Sequence, residues 1–476
     1  MSGKKTAKDN SELFKWNGNP SVGQILPLAA QHVLAAVVGC VTPAILVANA
    51  ANNAGGNVDM GMLIQVSLVF AALSTLLQLY GARLKLGSGL PVIIGVSFAY
   101  VPTMTAIAAQ AKNVDTIFGA MVIGGVVAIL VGLFIRQIRK VFPPLVIGTV
   151  ILAIGLSLYS TAVNYMAGNS SNTYDVVVTQ QGKTEALVYG SWQNWFVAFV
   201  TLLIVVLLNH YGKGLFKLAS ILIGLICGYV VALCFGMVDF STLSGAGWFQ
   251  IPMPLAFGMK FDISAILPLA ILFLVNSIQA MGDFSATTTG GMDRLPTDDE
   301  LNGGIIGYGV SNMIGAFFGC PPTATYSQNV GIVGSTRVVS RKVFSVAAVI
   351  LLIAGLIPKF SALLRTIPQC VLGGAVASVF ASIAMTGIKL LVTEKLTYRN
   401  TTVAGLAIAI GMGVSLNDGC LNQMSESIHG ALNMSMSLES FQSIINNTFA
   451  SSPVVLATIF AVILNLILPK DKKDGE

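Results

Sequence analysis

Residues Cys320 to Lys342 read CPPTATYSQNVGIVGSTRVVSRK. The stretch opens on Pro321-Pro322 and continues as the β-branched, hydroxyl-rich run Thr-Ala-Thr-Tyr-Ser. At Gln328-Asn329 it turns into a small-residue apolar run that ends at Thr336-Arg337. A strand-like piece and a helix-like piece therefore meet at a polar pair, between long apolar flanks. In lipid, non-helical backbone survives only where protein or a cavity covers it. A helix from Gln328 to Arg337 climbs roughly 15 Å, about half of a ~30 Å hydrocarbon core. With Arg337 at the membrane surface, Gln328 sits near the midplane at the free N-terminus of a half-helix. Broken helices of this kind build substrate sites in transporters.

The rest of the chain fits a membrane setting. It has 476 residues, of which 54% are hydrophobic and 10% charged, and its mean hydropathy is +0.79. Soluble domains carry about 25% charged residues, so the reading is an all-α polytopic membrane protein. The net charge of +6 is spread over loops, which excludes a nucleic-acid surface. One intramembrane histidine, with no cysteine–histidine cluster, leaves no nucleophile–base or metal set for an enzyme.

Fourteen apolar runs can be counted, from 24–48 to 451–468. With a cytoplasmic N-terminus, only Lys112, Lys183, Lys260, Lys359 and Arg365 of the 26 Lys and Arg residues fall outside. The positive-inside rule thus supports fourteen spans with both termini in the cytoplasm. Between Asn164 and Gly190, two β-branched runs flank Gln181-Gly182-Lys183 and read as an outside β-hairpin cap.

An internal repeat is visible. Pro143 to Gly148 (PPLVIG) opens the fifth run, and Pro368 to Gly373 (PQCVLG) opens the twelfth. Seven spans separate them, an odd number, so the copies point oppositely, as in the inverted repeats of secondary transporters. A 7+7 arrangement then places the partner of the opening stretch in the third run, Gly89 to Pro102 (GLPVIIGVSFAYVP). Short antiparallel strands in segments 3 and 10 would satisfy each other's backbone, and two half-helices would aim their positive ends at one cavity.

Gln328-Asn329-Val330-Gly331, four further residues and Thr336-Arg337 resemble the signature of the nucleobase–ascorbate transporter family, [Q/E/P]-N-x-G-x4-T-[R/K/G]. All its fixed positions match, and Gln at the first is similar to the purine branch, closest to bacterial xanthine and uric acid permeases. The resemblance spans essentially the whole chain. It implies a secondary active transporter, not an enzyme, that imports xanthine or uric acid by cation symport, with H+ or Na+ as coupling ion and no cofactor. It also implies a homodimer in membrane lipid. The expected division has tails at 1–23 and 469–476, a core domain of 24–140 with 263–360, and a gate domain of 141–262 with 361–468. A uracil or other pyrimidine permease, which usually has Glu where Gln328 stands, is the alternative. An inorganic anion transporter of the same fold is a weaker one.

Intramembrane polar residues are costly and default to functional candidates. The substrate set is Gln328, Gln279, Phe98, Ser327, Ser97 and Asn329; Asp283 and His32 are the coupling or proton-relay candidates. A primary amide offers one acceptor and two donors to the edge of a purine. The resemblance implies that Phe98 stacks on the ring. Asn329 is expected to fix the strand–helix junction by bonds to its own backbone. Gln279 and Asp283, at i and i+4, share a helix face. This chain departs from the family at Gln279, where most members have Glu, and at Tyr308, where bacterial xanthine permeases carry Asp. Asp283 is then the carboxylate left in the binding region.

Overall fold

The computed structural model describes residues 12–168, 176–178, 184–186, 188–417, 419–432 and 436–469. The hairpin turn at 181–183, the basic residues of the extreme N-terminus and the tail from Lys470 lie outside them.

Long apolar helices dominate. They are α1 (Val22–Asn53), α2 (Met60–Tyr80), α3 (Val101–Ala111), α4 (Asp115–Leu133), α5 (Pro144–Met166), α6 (Trp192–Tyr211), α7 (Ser220–Cys234) and α8 (Ile263–Met292). There follow α9 (Asp298–Phe317), α10 (Ser327–Thr336), α11 (Arg341–Gly355), α12 (Pro358–Arg365), α13 (Gln369–Leu391), α14 (Tyr398–Ser415), α15 (Asn422–Leu432), α16 (Leu438–Ile445) and α17 (Pro453–Ile467). Among the described residues, seven helices are long and apolar enough to cross a membrane. Counting the bent pairs α11–α12 and α16–α17, each as one span, gives nine. The fold is therefore that of a mostly helical polytopic membrane protein. The third and tenth apolar runs each fold as a strand followed by a short helix, which is why they fall short of a full crossing by length.

Local chemistry sets the ends of the helices around the site. Asp262 starts α8 by accepting from Ser264 N–H, and Thr297 with Glu300 forms a capping box on α9. Both α8 and α10 stop at a left-handed residue, Asp293 (φ 51°) and Arg337 (φ 58°). These two side chains then pair at 3.1 Å, tying the ends of the two helices together.

Strands β1 (Ile94–Val96) and β4 (Thr323–Thr325) pair antiparallel, with Gly95 opposite Ala324. Ser97 N–H donates to Pro322 C=O and Tyr326 N–H to Ile93 C=O, closing the ladder at both ends. A two-stranded ladder leaves two raw edges, and on each a single side chain serves both the N–H and the C=O of one residue. Thr75 Oγ1 accepts from Ile94 N–H at 2.9 Å and donates to its C=O at 3.3 Å. Asn312 does the same for Thr323, accepting from N–H at 2.8 Å and donating to C=O at 3.3 Å. This satisfies backbone that would otherwise cost several kcal/mol per group in an apolar setting. A second antiparallel pair, β2 (Val176–Val178) with β3 (Thr184–Ala186), forms in the expected hairpin.

The two Pro-led helices of the internal repeat, α5 and α13, pack against each other antiparallel. A Cβ on Gly148 would lie 2.9 Å from Leu391 N, and one on Gly373 would lie 2.3 Å from Met166 N. Between these ends Gly155 meets Ala384 and Gly387 meets Leu152, again backbone to backbone. Each Pro-led end thus contacts the far end of the other helix.

Candidate functional site

The site is built where β4 gives way to α10. Tyr326 is the N-cap residue and offers no side-chain cap. Its hydroxyl instead donates to Val96 C=O at 2.8 Å, pinning the start of α10 to β1. The first N–H groups of a helix have no intrahelical partner, so at Ser327 and Gln328 they face outward with the positive end of the helix dipole. On the other strand, Ser97 Oγ accepts from Ala99 N–H at 3.2 Å. A tight turn, Phe98–Tyr100, then leads into α3.

Asp283 on α8 joins the two sides of this junction. Its carboxylate accepts from Thr325 Oγ1 at 2.5 Å and from Ser327 Oγ at 2.8 Å, and the residue is 8% exposed. No basic side chain pairs with it among the described residues. The hydroxyls of Thr325 and Ser327 flank the N-cap, so one carboxylate ties the end of β4 to the first residue of α10.

Gln328 is exposed beside this carboxylate and has no hydrogen-bond partner among the described residues. Gly331 and Gly334 are exposed along the same helix, so this face of α10 is uncovered by the rest of the chain. Gln279, one turn from Asp283 on α8, is half-buried and likewise without a partner. It borders a small void with Val275, Ile278, Phe142, Ile147, Val150 and Ile151. Two neutral amides without partners among the described residues thus stand near one carboxylate: Gln279 is one helical turn from Asp283, and Gln328 follows its partner Ser327.

Other candidates have different surroundings from those expected. Asn329 does not cap its own junction; its Nδ2 donates to His32 Nδ1 at 3.0 Å and to His32 C=O at 3.1 Å, fastening α10 to α1. Because one amide nitrogen serves both, His32 Nδ1 is the acceptor and the ring carries its proton on Nε2. The ring also packs on Phe344, with centroids 4.5 Å apart. His32 is thus a bridge between helices, bonded to Asn329 and not to Asp283. Phe98 is 6% exposed, with Phe380 of α13 edge-on to it at 5.2 Å.

Sequence reasoning missed Thr325, Thr75, Tyr100 and Tyr326. Tyr308, flagged as a missing acid, is buried and its hydroxyl bonds to that of Tyr100. Phe273 packs on both rings, at 5.1 Å from Tyr100 and 5.7 Å from Tyr308. A neutral phenol pair fills the place where a carboxylate was expected. The alternation of Thr323 and Thr325 was the available signal for Thr325, since residues two apart share a strand face.

Gln279→Glu restores an acid one turn from Asp283. Two carboxylates on one face repel, and a carboxylate also repels an anionic ligand. The variant is expected to shift selectivity from anionic toward neutral purines and to steepen the pH dependence of uptake. Paired uptake assays of xanthine and uric acid across pH check this; unchanged selectivity and profile would assign Gln279 to scaffolding.

Comparison with known proteins adds an independent line. The family model described as Permease family, Xan_ur_permease, matches residues 23–419. The uric acid permease PucJ of Bacillus subtilis is 33% identical over 456 residues, covering 95% of this chain and 94% of the relative. The xanthine permease of the same organism is 32% identical over 409 residues, with 85% and 89% covered. The xanthine permease XanQ of Escherichia coli is 29% identical over 476 residues, with 96% and 94% covered. Among solved structures, the transmembrane domain of the cyanobacterial bicarbonate transporter BicA superposes with a TM-score of 0.53 at 15% identity, over 91% of this chain and 97% of that one. Murine Slc26a9 gives 0.57 at 13% identity, over 93% and 68%. These two likenesses speak to the fold alone.

Proposed function

The chain belongs to the nucleobase–ascorbate transporter family, as a permease and not an enzyme, and from that premise we propose that it imports a purine base, xanthine or uric acid, by cation symport with alternating access. The observation that carries the proposal is the Asp283 carboxylate held at the start of α10, with the unpartnered amides of Gln328, next to its partner Ser327, and Gln279, one turn away on α8. A flat heterocycle with alternating donors and acceptors along its edge satisfies both amides at once. Free N–H groups at the start of α10 suit a ring carbonyl or anionic oxygen. Phe98 supplies a ring face once its contact with Phe380 loosens, and Ser97 holds the turn that carries it.

In this reading fourteen spans form the 7+7 inverted repeat, with both termini in the cytoplasm. Residues 24–140 and 263–360 make the core domain that carries the substrate. Residues 141–262 and 361–468 make the gate domain, through which a homodimer assembles. Asp283 takes up H+ or Na+, and its two hydroxyl partners pass that event to the start of α10. Asn329 and His32 keep α10 in register with α1 during the cycle.

The test is uptake of radiolabelled xanthine and uric acid in cells that lack their own purine permeases, with and without sodium and with a protonophore. Uptake of neither base, in cells where the protein reaches the membrane, would overturn the assignment. Within the same assay, Gln328→Ala is expected to weaken apparent affinity roughly ten- to a hundredfold. Bonds lost to a desolvated purine edge cost ~1–3 kcal/mol. Because Gln328 bonds to nothing in this conformation, its removal leaves thermal stability unchanged. Near-normal affinity at equal surface expression would sink direct contact.

A further inference from the structure

Four hydrogen bonds and one ring contact join α1, α3 and the turn before α3 to α5, α13 and the α16–α17 region. The hydrogen bonds lie toward the ends of α1, α3 and α5 that the charge distribution assigns to the outside. Asn49 Nδ2 donates to the Tyr165 hydroxyl at 3.3 Å. Thr103 and Ser452 share a hydrogen bond at 2.8 Å between their Oγ atoms. Gln110 Nε2 donates to Ser443 Oγ at 2.8 Å, and Gln110 Oε1 accepts from Asn447 Nδ2. Deepest of the five, Phe98 meets Phe380 edge-on. Past Asn49 and Tyr165 opens a cavity of about 530 Å³ whose lining includes Asn53, Thr105, Ser160, Asn164 and Tyr189.

Farther along α8 and α10 the packing is divided: Ile278 and Met281 of α8 share a buried apolar cluster with Phe142 and Val146 at the start of α5, while one face of α10 is open. Gly282, Gln328, Gly331 and Gly334 are exposed. A Cβ placed on any of the three glycines would meet nothing within 4 Å. This open face runs along α10 toward Arg337, the end that the charge distribution assigns to the cytoplasm.

We propose that Asn49–Tyr165, Thr103–Ser452 and Gln110 with Ser443 and Asn447 are the outer gate of this transporter, holding it closed to the outside and open to the cytoplasm, with the 530 Å³ cavity as the outer vestibule. The inference rests on the transport reading above for its direction and adds the residues that set the conformational balance. Each contact is a neutral side-chain bond. Such bonds hold a closed state while letting it open on a transport time scale, because neutral pairs are individually weak where charged pairs are strong. Thr103 is a positioning residue: it touches Ser452 and not the amides of the substrate site.

The experiment reads conformation and transport separately. In a background where Cys227, Cys234 and Cys420, the accessible cysteines, are changed to Ser, Gly331→Cys is labelled with an impermeant maleimide in inside-out vesicles. Thr103→Ala is expected to slow that labelling at least threefold, as the population shifts away from the inward-open state. Thr103→Ser, which restores the hydroxyl, is expected to return it to the parent rate. Labelling unchanged by Thr103→Ala, or slowed but not rescued by Thr103→Ser, overturns the gate. A second variant covers the case in which Thr103→Ala fails to fold. Thr103→Cys with Ser452→Cys places two sulfurs where two hydroxyl oxygens now lie 2.8 Å apart, close to disulfide geometry. Oxidation is expected to abolish purine uptake, with recovery on reduction, while labelling at Gly331→Cys stays at the parent rate. An oxidised protein that still takes up purine overturns the gate. A parent protein that moves no purine, yet shows the Thr103→Ala labelling response, upholds the gate and overturns the substrate reading alone.

Discussion

Asp283→Asn is expected to leave purine exchange running while abolishing accumulation against a gradient. The side chain is buried and accepts two hydroxyl hydrogen bonds, from Thr325 and Ser327. An unpaired buried charge costs several kcal/mol, so a transport cycle through this site must neutralise it with a proton or a bound cation. Asparagine keeps the shape. Its Oδ1 accepts from one hydroxyl, and its Nδ2 donates to the other, which turns to accept. What it removes is the charge change. Equilibrium binding, counterflow and concentrative uptake measured on one preparation separate the cases. Binding and counterflow are expected to stay within about threefold of the parent, less than the cost of one lost neutral hydrogen bond, while the accumulation ratio falls to equilibration. Retained accumulation would exclude Asp283 as the coupling group, and loss of binding as well would make it structural. Asp283→Ala supplies the contrast: it strands the buried Thr325 hydroxyl at ~1–3 kcal/mol, removes the half-buried Ser327 hydroxyl's acceptor as well, and should lose binding too.

The second large effect is steric. A Cβ on Gly95 would lie 2.5 Å from Tyr326 Oη, 2.6 Å from its Cζ and 2.8 Å from Cys40 Sγ. Backbone of β1 surrounds the residue on both sides, so Tyr326 has to yield. Its hydroxyl then gives up Val96 C=O, and as the N-cap residue it drags the start of α10 with it. Overpacking costs about 1–3 kcal/mol, and the stranded carbonyl adds ~1–3 kcal/mol. Gly95→Ala is therefore expected to lower the thermal midpoint of the detergent-solubilised protein by many degrees and to abolish uptake. Gly405→Ala, where a Cβ meets nothing within 4 Å, is the control. It should hold or raise the midpoint, since Ala is the better helix former by about 1 kcal/mol. Equal midpoints for Gly95→Ala and the parent would show that the pocket around Tyr326 adapts.

What the sequence made legible is what short stretches encode. Pro321-Pro322 and the β-branched run to Thr325 announced an extended segment, and the small residues from Val330 to Thr336 announced a short helix. Pro143 and Pro368 marked the starts of two helices that prove to be packing partners. Unreadable were the bonds made across long separations. Thr75 and Asn312 look like any buried polar residue until the strands they edge are in place. Asn329 sits where a local cap belongs, yet its amide reaches His32, because Tyr326 already anchors the junction and leaves that side chain free. Tyr308 reads as a lost acid, and only the fold supplies Tyr100 as its partner. The exposure of Gln328 depends on what packs beside α10, which a linear pattern cannot specify.

The glycine seam between α5 and α13 has a mechanical consequence. Packed helices usually accommodate motion by shear, sliding past one another on side chains that change rotamer. Here the contacts are backbone against backbone, with Gly148, Gly155, Gly373 and Gly387 each facing a main-chain atom within 3.0 Å of where a Cβ would lie. A slip of one residue would drive the branched side chain of Ile147 or Thr149 into the main chain at Leu391. Rotamer changes offer no relief, because there is no side chain to move. The pair is therefore a ratchet with one tooth engaged: it transmits force and does not slide. Under the alternating-access reading proposed above, it would be the stator against which the strand-bearing half travels.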